Sequence, residues 1–334
     1  MRNDARLKFN AYMAALQELN GIPNAAVKFS VDPSVQQTLE SKIQESSDFL
    51  SKINNQLVTE QAGDKLGLGI GSTIASTTNT NAQDRVATDP TSLDEQGYFC
   101  TQTNFDTAIK YSKLDAWAKF ADFQTRLRDL IIKRQALDIM MIGFNGTSRA
   151  ATSNRVTNPL LQDVNIGWLQ KMRTNAPERV MDEGSTAGTL RIGATGDYKN
   201  LDALVYDMVN SLIDPWYRED TELVCLLGRD LLADKYFPLV NSTQAPTEQI
   251  AADLIISQKR VGGLPAVRAP FFPAGKLVVT RLDNLSRYVQ EGSRRRTVID
   301  NAKRDQIENF ESSNDAYVVE DHGCASLAEN IAFV

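Results

Sequence analysis

The 334-residue sequence predicts a mixed fold of helices and strands, built in several parts with two long appendages, on three observations. Apolar residues at three- and four-residue steps run from Ser112 to about Ile142 and mark a long helix. Helical stripes alternate with short apolar strands from Asp197 to about Arg281, the pattern of helices packed on a sheet. Between them and the N-terminal helices lies a polar stretch, Glu60 to Gly97, too long for an ordinary loop in a compact domain. With 42% hydrophobic and 23% charged residues, the chain can bury a substantial core.

The first twenty residues read as an amphipathic helix. Asn3 is placed to cap it, Asp4 lies in its first turn, and Leu7, Ala11, Ala14, Ala15 and Leu19 fall near one face. Asn20-Gly21 and Pro23 end it. Four basic residues (Arg2, Arg6, Lys8, Lys28) against Asp4 and Glu18 give residues 1–30 a local charge of +2 in an acidic chain. This fits a surface helix or a detachable, partner-binding arm. A second helix is expected from Pro33 to Lys52, with proline in its first turn. Its apolar positions Val35, Leu39, Ile43, Phe49 and Ile53 are sparse, as in an arm laid along another surface.

From Glu60 to Gly97 acids outnumber bases six to two, and glycines stand at 67, 69 and 71. Alternation follows, with Phe99, Thr101, Thr103, Phe105, Thr107, Ile109 and Tyr111 on one face. The region reads as a two-stranded excursion, and an isolated hairpin is marginally stable in water, so it leans on another surface, such as a neighbouring subunit. The long helix opens on a Ser112/Asp115 capping box and carries Leu114, Trp117, Phe120, Leu127, Leu130, Ile131, Leu137 and Met141. Gly143 and Asn145-Gly146 supply its stop, which makes a rod of about 45 Å. Next come a helix with Leu201, Leu204, Val205, Met208, Val209, Leu212 and Ile213, the strand ELVCLLG, the helix GRDLLADKYFPLV, helical EQIAADLIISQ, and the strands LPAVRAP and KLVVTRL. RRRTVID, NDAYVVED and the last apolar residues to Val334 are candidates for a sheet on the long helix.

The chemistry of catalysis is scarce. Thirty-six basic against forty-two acidic side chains leave a net charge of −6, which argues against a surface devoted to gripping phosphate. The one histidine, His322, removes the material for a histidine metal centre or triad. Cys100, Cys225 and Cys324 form no C-x-x-C pair and fit reduced thiols. The charged start MRNDARLKFNAY lacks the apolar core of a signal peptide, and no apolar run reaches the ~18 residues of a membrane span. A soluble, cytoplasmically made protein is expected. GDKLGLGIGST matches neither phosphate-loop spacing and better suits a strand lying close to another backbone. Pairs such as Glu219-Asp220 and Glu320-Asp321 sit at turns and strand ends, and His322 near Cys324 reads as a turn histidine. Arg294, Arg295 and Arg296 form the one dense basic cluster. It has no interleaved aromatics for nucleic acid and suits a protein interface.

Beyond this bottom-up reading, ordered blocks along nearly the whole chain carry a resemblance. FNAY, ELNGI, PSVQQTLESKIQESSDFLSKIN, GSTIASTT, LDAWAKFADFQTRLRDLIIKRQALDIMMIGFNG and NPLLQDVNIGWLQK are among them. DALVYDMVNSLIDPWY, GRDLLADKYFPLVN, AADLIISQKRVGGLPAVRAPFFPAG and ENFESSNDAYVVED continue it. Together they resemble the major capsid proteins of P2-like tailed bacteriophages.

The resemblance implies an α+β fold of the Hong Kong 97 type, with no catalytic, cofactor or metal site. It implies an N-terminal segment 1–30 removed at maturation, with the cut near Phe29, Ser30 and Val31, then an N-arm over 31–57. An extended hairpin loop spans 58–111 and clasps a neighbouring subunit through the region of Lys65, Gly67, Gly69, Gly71 and Arg85. The peripheral domain takes 112–195 and 286–334, and the axial domain 196–285. Implied partners are further copies of the chain in pentamers and hexamers, a scaffold and maturation protease, a portal protein, packaged double-stranded DNA bound non-specifically and, where present, decoration proteins. No membrane is implied. The shell would belong to the virion and be assembled in the host bacterial cytoplasm. An encapsulin-like compartment of the same fold is the alternative.

Overall fold

The computed structural model describes residues 1–65, 69–70, 75–87, 91–92, 97–120, 122–233, 235 and 260–334. The expected helix EQIAADLIISQ lies outside them, as do residues 234 and 236–240 of GRDLLADKYFPLV; residues 229–233 are helical.

Helix α1 (Asn3–Asn20) ends on Gly21, whose left-handed φ of 62° suits glycine. Arg2, not Asn3, is its N-cap and makes no capping bond. Its inward face is also not the expected one. Ala5, Phe9 and Leu16 are buried, whereas Leu7 and Leu19 are 68% and 65% exposed. The side chains of Phe9 and Tyr12 fill more apolar volume than the alanine stripe, so they decide which way the helix turns. β1 (Phe29–Ser30) leads to α2 (Pro33–Glu45), where Asp32 accepts a hydrogen bond from the Ser34 amide at 2.9 Å. α2 stops at Glu45, short of the expected Lys52, and β2 (Asn54–Val58) follows after a turn.

The hairpin comprises β3 (Ala62–Gly63), β4 (Gly69–Ile70), β5 (Thr91–Ser92) and β6 (Tyr98–Phe99). Ala62 pairs with Phe99 and Gly69 with Ser92, seven residues on along each strand, so the two pairings share one register. β7 (Thr101–Asn104) and β8 (Thr107–Lys110) then join the body. The expected alternation holds inward from Thr101 to Ile109 but flips at Cys100. Tyr98 and Cys100 are buried and Phe99 is exposed, because β6 pairs within the hairpin and β7 with the main sheet.

The expected single rod is two helices, α3 (Tyr111–Trp117) and α4 (Phe123–Asn145). No proline or glycine separates them. The Lys8 ammonium from α1 donates to the carbonyls of Ala118 (2.6 Å) and Phe120 (2.7 Å), occupying acceptors at the interruption. The 23 residues of α4 make a rod of about 35 Å. Lys110, not Ser112, is the N-cap of α3, and Asp115 instead accepts from the Arg2 amide at 2.7 Å. Gly143 lies within α4 rather than ending it. A Cβ there would stand 2.3 Å from the Trp168 ring, so the glycine seats that indole.

After α5 (Trp168–Asn175) come β9 (Val180–Met181), β10 (Leu190–Ile192), α6 (Leu201–Leu212), β11 (Val224–Leu227), β12 (Arg260–Val261), β13 (Leu264–Val267) and β14 (Leu277–Thr280). The chain closes with β15 (Leu285–Gln290), β16 (Arg295–Asn301), β17 (Gln306–Val319), β18 (Ser326–Ala328) and β19 (Ile331–Phe333).

Two sheets organise these elements. In the seven-stranded sheet, β17 is the central strand. β16 and β15 lie end to end along one side of it, β8 and β7 along the other, and β1 and β2 pair outside β16 and β15. The six-stranded sheet has the order β12-β13-β11-β14-β18-β9, so it draws β9 and β18 from outside residues 196–285. β18 and β19 do not join the sheet on the long helix as expected. β18 pairs with β14, and β19 runs parallel to β10. Each carries apolar side chains that a second surface can bury, and the cores of α6 and β14 supply it. The largest core gathers Ile139, Met140, Phe144, Trp168, Tyr317 and Phe49 between α4, α5 and β17.

Candidate assembly site

The reactive side chains are sequestered. Burial pushes the Cys324 thiol up to about 12 and Cys100 likewise to about 12, so both are protonated near neutrality. His322 turns its Nδ1 to within 3.4 Å of Lys65 Nζ, at the root of the hairpin. Among the described residues, no group of three His, Cys, Asp or Glu side chains is placed to hold a metal ion. Among them also, no helix is long and apolar enough to cross a membrane.

The hairpin residues singled out by sequence are distributed along its length. Lys65 is half-buried at the root, Gly69 pairs in β4, and Arg85 is exposed beside the tip turn, where the Ala82 amide donates to Asn79 O at 2.9 Å. Gly67 and Gly71 lie outside the described residues. Sequence reasoning passed over Gly97. A Cβ on it would meet Gly63 O at 2.5 Å, so the two strands approach closely only because this position is glycine. Tyr98 anchors the root, its ring 4.8 Å from that of Tyr288 in a T-shaped contact.

The three residues expected at the maturation cut are seated on β16. Phe29 pairs with Arg296 and Ser30 with Arg295, while the Val31 amide donates to Arg294 O at 2.9 Å and its side chain is buried. The basic groups of α1 turn toward the body. Arg6 pairs with Asp300, which also accepts from the Tyr111 hydroxyl, and Lys8 serves the carbonyls after α3.

The basic triplet divides. Arg295 is exposed and Arg296 half-buried, donating to Asn309 and to the Tyr12 hydroxyl at 2.6 Å each. Arg294 is fully buried, which corrects its assignment to an interface: in this fold it cannot reach a neighbour. It pairs with Glu40, donates to Glu311 at 2.7 Å, and reaches Gln135 at 3.0 Å. Arg287 donates to Glu40 at 2.6 Å and to Asp315 at 3.1 Å. Two guanidinium groups therefore share three carboxylates under α2. Burial alone pushes the Glu40 carboxyl up, but Arg287 and Arg294 outweigh it and hold Glu40 below the ordinary glutamate value. Glu311 is held low in the same way, against its burial, chiefly by Arg294.

Sequence reasoning missed this network, although a signal existed. Gln36, Glu40 and Ile43 fall at helical spacing on one face of α2. Glu311, Ser313 and Asp315 alternate in register with Ile307 and Tyr317 on β17, whose apolar members mark the inward face. The network fixes the helix of residues 33–45 on the sheet.

Comparison with known proteins places this arrangement. A family model described as phage major capsid protein, P2 family, matches residues 8–331. The chain is 53% identical to the capsid proteins of Escherichia phage P2 over 340 aligned residues, covering 99% of this chain and 95% of that one. It is 41% identical to the major capsid protein of Serratia phage KSP20, covering 100% of this chain and 98% of that one. Among solved structures, the satellite phage P4 procapsid including size determination (Sid) protein matches with a TM-score of 0.84 and 50% identity. That match covers 100% of this chain and 99% of that one. The capsid of an empty GTA particle shares the fold at a TM-score of 0.51 and 16% identity, over 86% of this chain and 90% of that one.

Proposed function

Given that the chain belongs to the P2 family of phage major capsid proteins, has the Hong Kong 97-type fold and forms the virion shell of a tailed phage, we propose how its parts divide that work. Residues 1–30 are a precursor segment removed near Phe29–Val31, 31–57 the N-arm, and 58–111 the hairpin that clasps a neighbouring subunit. Residues 112–195 with 286–334 form the peripheral domain and 196–285 the axial domain. The shell is assembled in the bacterial cytoplasm from pentamers and hexamers of the chain. It works with a scaffold and maturation protease and a portal protein, accepts decoration proteins where the phage encodes them, and encloses double-stranded DNA without reading its sequence. The chain itself performs no catalysis.

The observation that carries this reading is a hairpin whose strands pair with each other, β3 with β6 and β4 with β5, and whose residues 79–87 are exposed. Heterologous contacts that must close into rings of both five and six copies need a part that absorbs the angular difference. A hairpin paired mainly with itself has that freedom, and many weak contacts made together hold a shell. The phage relatives at 53% and 41% identity favour a virion over the encapsulin-like alternative.

Electron microscopy of the full chain produced with its scaffold tests the reading: closed shells are expected. Deleting residues 65–97 is expected to leave a soluble body that makes none, and normal shells from that deletion would remove the hairpin's role. Mass spectrometry of mature particles is expected to find a chain starting near Ser30, and intact Met1 in infectious virions would refute the cut.

A further inference from the structure

A helix held largely by surface contacts and the expected cut lie side by side in the fold. We propose that α1 and β1 form a latch that keeps the chain around residues 28–31 closed to proteases, so that the cut waits on release of α1 from the sheet. This rests on the reading of residues 1–30 as a segment removed at maturation and names what controls that removal.

A peptide bond is cut only when the backbone around it leaves its own sheet and pairs with the protease instead. Here that backbone is engaged. The Val298 amide donates to Ala25 O at 3.0 Å, Phe29 and Ser30 pair with Arg296 and Arg295, and the Val31 amide donates to Arg294 O at 2.9 Å. The Ser30 hydroxyl donates to Gly292 O at 3.1 Å, and the Asp32 amide donates to Asn20 Oδ1 at 3.2 Å. Ala25 and Val31 are buried. Ser30 is exposed, but its backbone is still part of the ladder.

The two flanks of this stretch are held differently. On the C-terminal flank, Glu40 of α2 is paired with Arg287 and Arg294, and all three are buried. On the N-terminal flank, strand alternation turns Arg296, Val298 and Asp300 of β16 toward α1 and leaves Arg295 on the open face of the sheet. α1 grips its side through Phe9 and Leu16 and through polar contacts near the surface. Arg6 pairs with Asp300, their side chains 41% and 30% exposed, and Lys8 serves the carbonyls of Ala118 and Phe120.

Exposed ion pairs hold weakly, whereas a buried pair is costly to break, so α1 opens more readily than α2. Proteolysis follows the population of that open form. Opening from the α1 side releases the segment to be removed and leaves the retained helix in place.

The test uses trypsin as a probe on the full chain. Lys28 is exposed and precedes the paired Phe29 and Ser30, and the exposed Arg85 of the hairpin serves as an internal reference. Arg6→Ala combined with Lys8→Ala should speed the cut after Lys28 at least tenfold, read by mass spectrometry, and leave the cut after Arg85 at its native rate. Ser30→Cys with Arg295→Cys places two thiols opposite each other across the ladder, in a chain whose own three cysteines are buried. The oxidised form should be cut after Lys28 at least tenfold more slowly than the same protein reduced. Indifference to either change would overturn the latch. In shells assembled with scaffold and protease, the Arg6→Ala/Lys8→Ala chain should be shortened at least tenfold faster than the native one. A product that starts near Ser30 at an unchanged rate would overturn control by the latch and leave the maturation reading standing. The expected trypsin results beside a mature chain that keeps Met1 would remove the maturation reading and leave the latch.

Discussion

The seven-stranded sheet buries Glu40, Arg287, Arg294, Glu311 and Asp315 beneath α2, whereas the six-stranded sheet packs Cys225, Leu227, Leu277 and Val279 against Leu204, Val205 and Met208 of α6. Both are closed to water, but they impose different constraints. Aliphatic side chains tolerate small shifts, since their attraction is non-directional. Guanidinium–carboxylate pairs hold direction and spacing, and a displaced partner leaves an uncompensated charge. The contrast assigns a role to each. The aliphatic side supplies cohesion, and the charged side fixes one position for the helix of residues 33–45 relative to the seven-stranded sheet.

Three measurements would break or sharpen this contrast. Glu40→Ala removes the carboxylate that Arg287 and Arg294 share, leaving them only Asp315 and Glu311, and is expected to cost about 4 kcal/mol in urea unfolding of the full chain. A loss below about 1 kcal/mol would show that water reaches the network. Leu204→Ala, at a fully buried position, is expected to cost about 3 kcal/mol through lost burial and a cavity. It should leave protection of the α2 amides from hydrogen exchange unchanged, whereas Glu40→Ala should abolish it.

The smallest effect is on pH. Glu40 and Glu311 are held below their ordinary values in the fold, so their contribution is complete above the unfolded value near 4.5. It is lost as pH falls through the lower folded values. Acid should therefore loosen α2 before α6, as read by amide exchange, with no change between pH 6 and 8. Simultaneous loosening would place the acid-sensitive groups elsewhere.

Much of the secondary structure was legible because its signals are local. The stripe of α6, the apolar runs of β11 and β14, and the Gly21 stop were all read from neighbouring residues. α1 shows where this fails: its predicted stripe was real but faces outward, since two apolar faces competed and the body selected the one bearing Phe9. The interruption between α3 and α4 was invisible because Lys8, over a hundred residues away, occupies the carbonyls there. Arg294 illustrates the same limit for the site. Three consecutive arginines look alike in sequence, but strand alternation sends Arg295 to one side of the sheet and Arg294 and Arg296 to the other.

The sequence by itself determined the family, the two-stranded hairpin with its acidic balance, and the scarcity of catalytic groups, because composition, ordered blocks and short-range periodicity do not depend on which distant segments meet. Only the tertiary structure decided that Glu40 is an internal counter-ion, that β18 and β19 leave the sheet on the long helix, and which sheet face stays open. Each of those outcomes depends on pairing between residues far apart in the chain, where burial and charge neutralisation choose among alternatives that local patterns leave equal.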